Sequence, residues 1–358
     1  MIMKTTRFYI ILAMLTALIA AGCGGNPQPK QQSNPMDEEI EEAPVHRNPV
    51  FSLFDIDGQG AYQLYRNGDR LASFTLDGGR KPVDICSYND DCYILISETP
   101  NGDTTDTNFC SAEILKNGRR AMELDEKLHV LALENCEGHF YVLGKYDNSE
   151  YVVYRDGLRV WTFPVHSDSR PVCMSVFEQI VYMAMQRGKT TDIYRDKNKL
   201  HSISGVCKEI KVSYRGVYAL MSDTLYVDRN VAMKNEYYRY SDKEMYASPT
   251  MLATSDKDVL VGSRASFDNK HTYAGLFLNL QTYTTIKPDD KHIGDSDLST
   301  VCCGVAVSGE TYYYVTTILD ADMAMMKPVT YYFYADHSEI FTLNFENEKA
   351  RLLMITSN

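Results

Sequence analysis

Tyr65-Arg66-Asn67-Gly68-Asp69-Arg70-Leu71 decides the fold, because the chain repeats it. Leu115-Lys116-Asn117-Gly118-Arg119-Arg120 and Tyr154-Arg155-Asp156-Gly157-Leu158-Arg159-Val160 are close copies. Tyr194-Arg195-Asp196-Lys197-Asn198-Lys199-Leu200 and Tyr226-Val227-Asp228-Arg229-Asn230-Val231 are weaker ones. Asn-Gly and Asp-Gly accept the positive φ angles of a type I′ turn, so each copy reads as strand, two-residue turn, strand. The copies follow one another at intervals of 50, 39, 40 and 32 residues.

Between successive copies lies a second, more apolar hairpin. Examples are Val83 to Ile96, Leu128 to Leu143, Val172 to Met185 and Val206 to Leu220. Two hairpins make a four-stranded unit of roughly 40 residues, the size of a β-propeller blade. One such sheet cannot bury both faces alone, whereas sheets stacked radially cover one another. Met251 to Gly262 with Ala274 to Ile286 makes one degenerate blade, and Val301 to Thr317 with Tyr331 to Leu343 makes another. Phe51 to Phe74 supplies only three strands, and Ala350 to Thr356 can supply the fourth, which removes the open edges of the array. The expected fold is therefore all-β, a β-propeller of seven four-stranded blades closed by its N- and C-terminal strands, with six or eight blades as alternatives.

Three segments are expected along the chain. Residues 1–22 read as an export signal: Lys4 and Arg7, a short apolar run from Phe8, and the small residues Ala20-Ala21-Gly22 before Cys23. The apolar run is too short to span a bilayer comfortably. A Cys at that place resembles the lipobox of bacterial lipoproteins, which implies cleavage after Gly22 and diacylglycerol on the Cys23 sulfur. Residues 23–49 are rich in Pro, Gln and Asn with an acidic run at Asp37 to Glu42, a composition that reads as a flexible tether. The propeller takes residues 50–358.

Losing residues 1–22 removes two basic side chains and takes the formal charge from −12 to −14. That charge argues against nucleic acid and anionic lipid as partners, so membrane attachment rests on the acyl chains. The chain holds 26 Tyr but one Trp, and Tyr suits half-buried strands. Besides Cys23 there are eight cysteines: Cys86, Cys92, Cys110, Cys136, Cys173, Cys207, Cys302 and Cys303. Several sit within apolar strand patterns, where a thiol behaves as a small hydrophobe. If a bridge exists, Cys86 with Cys92 is the first candidate, because the two flank a tight turn at Asn89-Asp90.

Chemistry-bearing motifs are scarce. Asp55-Ile56-Asp57-Gly58-Gln59-Gly60 begins like a calcium loop but has Gln59 and Arg66 where an EF-hand needs oxygen ligands, and reads as a turn. Asp289, Asp290, Asp295 and Asp297 crowd one loop and are weak metal candidates against the ordinary reading of a solvated charge cluster. Histidines form no metal-binding pair, though His129 and His139 flank one hairpin. No nucleophile elbow or phosphate loop occurs, so no catalytic residue and no cofactor is assigned. The aromatic runs Tyr237-Tyr238, Tyr312-Tyr313-Tyr314 and Tyr331-Tyr332-Phe333-Tyr334 read as packing between blades, since neighbours on a strand face opposite ways. A Met-rich insertion, Ala321 to Pro328, suits either a partner surface or a loop packed on the ring.

The lipobox together with the repeated turns resembles the lipid-anchored β-propeller proteins of the Gram-negative cell envelope. That resemblance implies an outer-membrane lipoprotein and carries no functional residues. The expected function is a non-enzymatic binding or scaffold module that presents a propeller face to a protein, peptide or glycan. The alternative is an envelope hydrolase or lyase with its site in the central channel. Convergent charged side chains with shifted pKa values would favour the enzyme, and a shallow apolar face would favour binding.

Overall fold

The computed structural model describes residues 48–357, apart from 78, 99–111, 125–127, 147–149, 165–168, 241–242, 268–271, 287–297, 321–329 and 347–348. Cys23, Cys110, the four candidate metal aspartates Asp289, Asp290, Asp295 and Asp297, and the Met-rich insertion lie outside the described residues. Every regular element among those described is a strand, and the strands form seven antiparallel sheets.

Blade 1 joins β1 (Val50–Asp55), β2 (Ala61–Arg66) and β3 (Asp69–Thr75) to the last strand, β29 (Arg351–Ser357). Blade 2 is β4 (Arg80–Tyr88), β5 (Asp91–Glu98), β6 (Glu113–Lys116) and β7 (Arg119–Glu123). Blade 3 is β8 (Leu128–Cys136), β9 (His139–Tyr146), β10 (Glu150–Arg155) and β11 (Leu158–Pro164). Blade 4 is β12 (Ser169–Phe177), β13 (Ile180–Arg187), β14 (Thr190–Arg195) and β15 (Asn198–Ser204). Blade 5 is β16 (Glu209–Ser213), β17 (Gly216–Leu220), β18 (Thr224–Val227) and β19 (Asn230–Lys234). Blade 6 has an added strand, β20 (Glu236–Tyr240), before β21 (Lys243–Thr254), β22 (Val259–Ser266), β23 (Tyr273–Leu278) and β24 (Gln281–Ile286). Blade 7 is β25 (Leu298–Ser308), β26 (Thr311–Asp320), β27 (Thr330–Ala335) and β28 (Ser338–Asn344).

The protein is thus a seven-bladed β-propeller, and the ring closes where the sequence places the closure. β1 pairs with β29 from Val50↔Ser357 to Asp55↔Arg351, with one bulge on the way. An ion pair between Arg351 Nη2 and the buried Asp55 Oδ2 at 3.2 Å fastens one end of this seam. Ser357 Oγ, donating to the Pro49 carbonyl at 2.9 Å, fastens the other. The added β20 was not foreseen: its Tyr237-Tyr238 pair alternates faces, with Tyr238 set edge-on against Phe277 at 5.4 Å.

The core is not one mass but a set of slabs between neighbouring blades. Ile94 packs toward blade 1 with Phe51, Leu53 and Leu64, while the adjacent Leu95 packs toward blade 3 with Leu133, Val142 and Val152. A middle strand buried on both faces reads as a continuous apolar run, as in Ile94-Leu95-Ile96. The tyrosine runs fill the same slabs: Tyr313 packs toward blade 1 and Tyr314 toward blade 6. Outer strands bury less and carry charge, such as Asp69 and Arg70 on β3 or Arg119 and Arg120 on β7, which discourages edge pairing.

The repeated turn does more than reverse the chain. In blade 2, Asn117 donates its backbone N–H to the Cys92 carbonyl at 2.8 Å and accepts the Cys92 N–H on Oδ1 at 2.9 Å. The same two-way latch joins Asn67 to Val50, Asp156 to Phe140, Asp196 to Val181 and Asp228 to Val217. It also joins Asn279 to Val259 and Asp336 to Tyr312, two turns outside the five copies read from the sequence. In all seven blades the latched amide lies in the strand next to the inner one, at its first residue in blades 1 and 6 and at its second in the other five. Glycine supplies the paired positive φ at Asn67-Gly68, Asn117-Gly118 and Asp156-Gly157, whereas Asp196, Asp228 and Asp336 alone carry positive φ in their turns. The glycines also make room: a Cβ on Gly118 would stand 2.8 Å from the Ala72 Cβ of the next blade.

Cys86 and Cys92, the first candidate pair for a bridge, stand as separate thiols. Cys86 sits opposite Tyr93 and Cys92 opposite Ser87, so strand alternation sends the two sulfurs to opposite faces of the sheet. Cys86 packs in the slab with blade 3 and Cys92 in the slab with blade 1.

Candidate functional site

The innermost strand of each blade lines a central channel of about 780 Å³. Its wall is built from β4, β8, β12, β16, β21, β25 and β29. Most of these strands carry a one-residue bulge. The register shifts between Pro82 and Asp84, Val130 and Ala132, Pro171 and Cys173, Pro249 and Met251, and Cys302 and Gly304. Such a bulge locally breaks the ladder and leaves backbone groups unpaired by the neighbouring strand.

Two residues beyond the bulges of β8 and β21, the amides of Leu133 and Leu252 are taken by carboxylates of the preceding blade in the same way. Asp84 Oδ2 accepts the Leu133 N–H of blade 3 at 2.9 Å, and its Oδ1 accepts the Ile85 N–H at 2.9 Å. Glu209 Oε2 accepts the Leu252 N–H of blade 6 at 3.0 Å. Each acid therefore braces the inner strand of the next blade. Between them, Lys211 Nζ reaches past blade 4 to Glu134 Oε1 at 2.7 Å. Three carboxyl groups and one ammonium thus converge inside the ring.

Depth in the channel shifts their protonation. Burial pushes the Asp84 carboxyl up to about 7, helped by the nearby Glu134 and opposed by its two amide donors and Lys211. Burial likewise raises Glu209, against the pull of Lys211 and the Leu252 amide. Burial works against the Lys211 charge, but Glu134 and Glu209 more than offset it and the ammonium is held above its ordinary value.

One mouth of the channel is formed by the turns that follow the inner strands. Glu137, Glu178, Asp256, Asp258 and Glu310 face it with Lys257 as the basic member. Asp258 is occupied, accepting from Asn279 Nδ2 at 2.6 Å and Tyr312 OH at 2.9 Å. Glu137, Glu178, Asp256 and Glu310 are exposed. Beside them Tyr214, 64% exposed, stands edge-on to Phe177 at 4.9 Å.

The remaining sequence candidates fall elsewhere. Asp55 Oδ1 accepts the Gly58 N–H at 2.8 Å, and Asp57 Oδ1 accepts those of Gln59 at 2.7 Å and Ala61 at 3.1 Å, so this loop is a turn folded on its own carboxylates. His129 and His139 lie at opposite ends of the β8–β9 hairpin, and His139 Nδ1 meets Asp156 Oδ2 at 2.6 Å. Asp84, Glu134, Glu209 and Lys211 escaped the sequence reading. Their signal was present: each interrupts the first strand of an apolar hairpin, as in Val83-Asp84-Ile85 and Glu209-Ile210-Lys211-Val212, where a charge has no outward face to occupy.

No family model matches the chain, and no curated protein matches it. Solved structures do superpose. One is BBS1N in complex with ARL6DN, at 9% identity and a TM-score of 0.47 over 76% of this chain and 88% of that one. Another is apo AztD from Citrobacter koseri, at 10% identity and a TM-score of 0.39 over 87% of this chain and 98% of that one. A third is the dihydro-heme d1 dehydrogenase NirN in complex with DHE, at 11% identity and a TM-score of 0.42 over 88% of this chain and 78% of that one. The likeness is one of architecture alone.

Proposed function

We propose that the protein is a lipid-anchored, non-enzymatic binding module of the bacterial cell envelope, which receives a positively charged peptide segment at the acidic mouth of its channel. The observation that carries this reading is the employment of the deep charged groups. Both Asp84 oxygens and one Glu209 oxygen accept backbone N–H groups, and Lys211 is tied to Glu134. Groups committed to holding blades together are poorly placed to attack or protonate a substrate, while the carboxylates of the mouth are exposed and can exchange their surface partners, Gln179 Nε2 for Glu137 and Tyr214 OH for Glu178, for groups of a ligand. Exposed carboxylates around an accessible aromatic ring suit ammonium and guanidinium groups, through charge and cation–π attraction.

The anchor part of the proposal rests on the N-terminal 23 residues. Metabolic labelling with a clickable fatty acid checks it: the wild-type chain takes the label, and Cys23→Ala does not. Binding is checked by titrating the purified domain with an oligo-arginine peptide and, as control, an oligo-glutamate peptide. Binding of the first alone, weakening as salt rises and lost in Glu178→Gln with Asp256→Asn, supports the reading. Equal binding of both, or of neither, removes it.

One observation favours the enzymatic alternative. A carboxyl held near neutrality in a concave site is the usual condition of a general acid or base, and Asp84 is raised to about 7. Turnover of an envelope polymer that vanishes in Asp84→Asn, with the fold intact, would put the enzyme first.

A further inference from the structure

Of the cysteines the sequence offers, the fold brings one pair together that spacing does not single out. Cys173 follows the bulge on β12, the inner strand of blade 4. Cys207 lies in the connection between β15 and β16, which leads into blade 5. Their sulfurs stand 3.7 Å apart across 34 residues of sequence. Among the described residues no other two cysteine sulfurs meet: Cys86 and Cys92 face apart, and Cys302 and Cys303 are adjacent on one strand.

We propose that Cys173 and Cys207 form a disulfide that staples blade 4 to the entry of blade 5 when the chain meets a disulfide oxidant, whether small-molecule or enzyme-borne. A protein disulfide needs its sulfurs about 2.05 Å apart, so the pair must close by somewhat under 2 Å. The surroundings permit that movement. Cys207 is not in a ladder; its segment is held by its own N–H donating to Thr191 Oγ1 at 3.2 Å and by Gly205 N–H donating to the Lys189 carbonyl at 2.7 Å. The Cys173 strand is already irregular at this point. Closure sacrifices one weak contact, from Cys207 Sγ to the Glu209 carbonyl at 3.2 Å.

The chemistry balances as two exchanges. One cysteine thiolate attacks the oxidant's disulfide, forming a mixed disulfide and releasing one thiolate, which takes up the proton lost. The second cysteine then attacks the mixed disulfide, forming the intrachain S–S bond and releasing the second thiol. Two protein thiols are oxidised and one oxidant disulfide is reduced. In the folded chain the contact with Cys207, together with burial, keeps Cys173 protonated. The bond therefore forms fastest while the chain is folding, before blades 4 and 5 close over it. This inference does not depend on what the channel binds.

The test refolds the full mature chain in a buffer of reduced and oxidised glutathione, alkylates remaining thiols under denaturing conditions, and maps the digest by mass spectrometry. The expected result is a linked peptide pair joining Cys173 to Cys207, with Cys86 and Cys92 fully alkylated. Reduction should then lower Tm by roughly 5 °C in the wild type and leave Cys173→Ser and Cys207→Ser unmoved. Complete alkylation of both Cys173 and Cys207, or linkage of either to another cysteine, would overturn the proposal. The mapping uses the wild-type chain, so it decides the matter even if a serine variant folds poorly.

Discussion

The outer turns and the inner strands of this propeller follow opposite rules. At the circumference seven Asn or Asp side chains perform one task, each latching its turn to an amide near the start of the blade's second strand. Along the channel the position after the bulge changes from blade to blade, with Asp84, Ala132, Cys173, Met251 and Gly304 in turn. Repetition marks what every blade needs in order to form. Departure from repetition marks what only this ring does.

The largest effect should come from the channel. Lys211→Met leaves Asp84, Glu134 and Glu209 converging without their counter-charge, and should lower the unfolding free energy by about 3 kcal/mol in a denaturant titration. A loss below about 1 kcal/mol would mean that channel water screens the group as a surface pair is screened.

Next is the pH dependence. The folded value for Asp84, about 7, lies above its ordinary 3.8, so the folded state binds the extra proton between the two. Stability should be fullest below the lower value and fall as pH rises through about 7. Discounted for channel water, the fall should amount to roughly 2 kcal/mol, and Asp84→Asn should flatten it. Glu134 and Lys211 face the same carboxyl, so the curve is best recorded on the Glu134→Gln background as well. A flat wild-type curve would mean that the two amide donors outweigh burial.

Turn substitutions should be smaller and uniform. Asn117→Gly keeps the positive φ and removes the side-chain acceptor, for a loss of about 1 kcal/mol; the same change at Asn67 should cost a similar amount and add to it. Unequal losses would break the claim that the seven latches are equivalent. Smallest of all, Glu178→Gln at the exposed mouth should leave stability within about 0.5 kcal/mol while weakening oligo-arginine binding.

The fold was legible because its determinants are local. Asn117-Gly118 announces a reversal whatever surrounds it, and Ile94-Leu95-Ile96 announces two buried faces. Closure by β29 was legible for the same reason, since Phe51 to Phe74 lacks a strand that Ala350 to Thr356 can supply. The latch function of Asn and Asp was half visible: the residue types were noted for their φ tolerance, but their acceptor role depends on an amide 11 to 25 residues earlier in the chain. Asn279-Leu280 and Asp336-His337 fall inside the hairpins read as Ala274 to Ile286 and Tyr331 to Leu343, but neither stands in a recognisable copy of the repeated turn, so their latch role gave no local signal. The channel was least legible. Asp84 meets Leu133 across 49 residues and Glu134 meets Lys211 across 77, and no spacing rule spans such distances. The cysteines teach the same lesson, since the near pair Cys86 and Cys92 faces apart while Cys173 and Cys207 meet.

The most direct test is native-state hydrogen exchange at the seven latched amides, Val50, Cys92, Phe140, Val181, Val217, Val259 and Tyr312. The account predicts that all seven are protected to a similar degree, and that Asn117→Gly releases Cys92 while the other six stay protected. Fast exchange at several of these sites in the wild type, or undiminished protection of Cys92 in the variant, would contradict it.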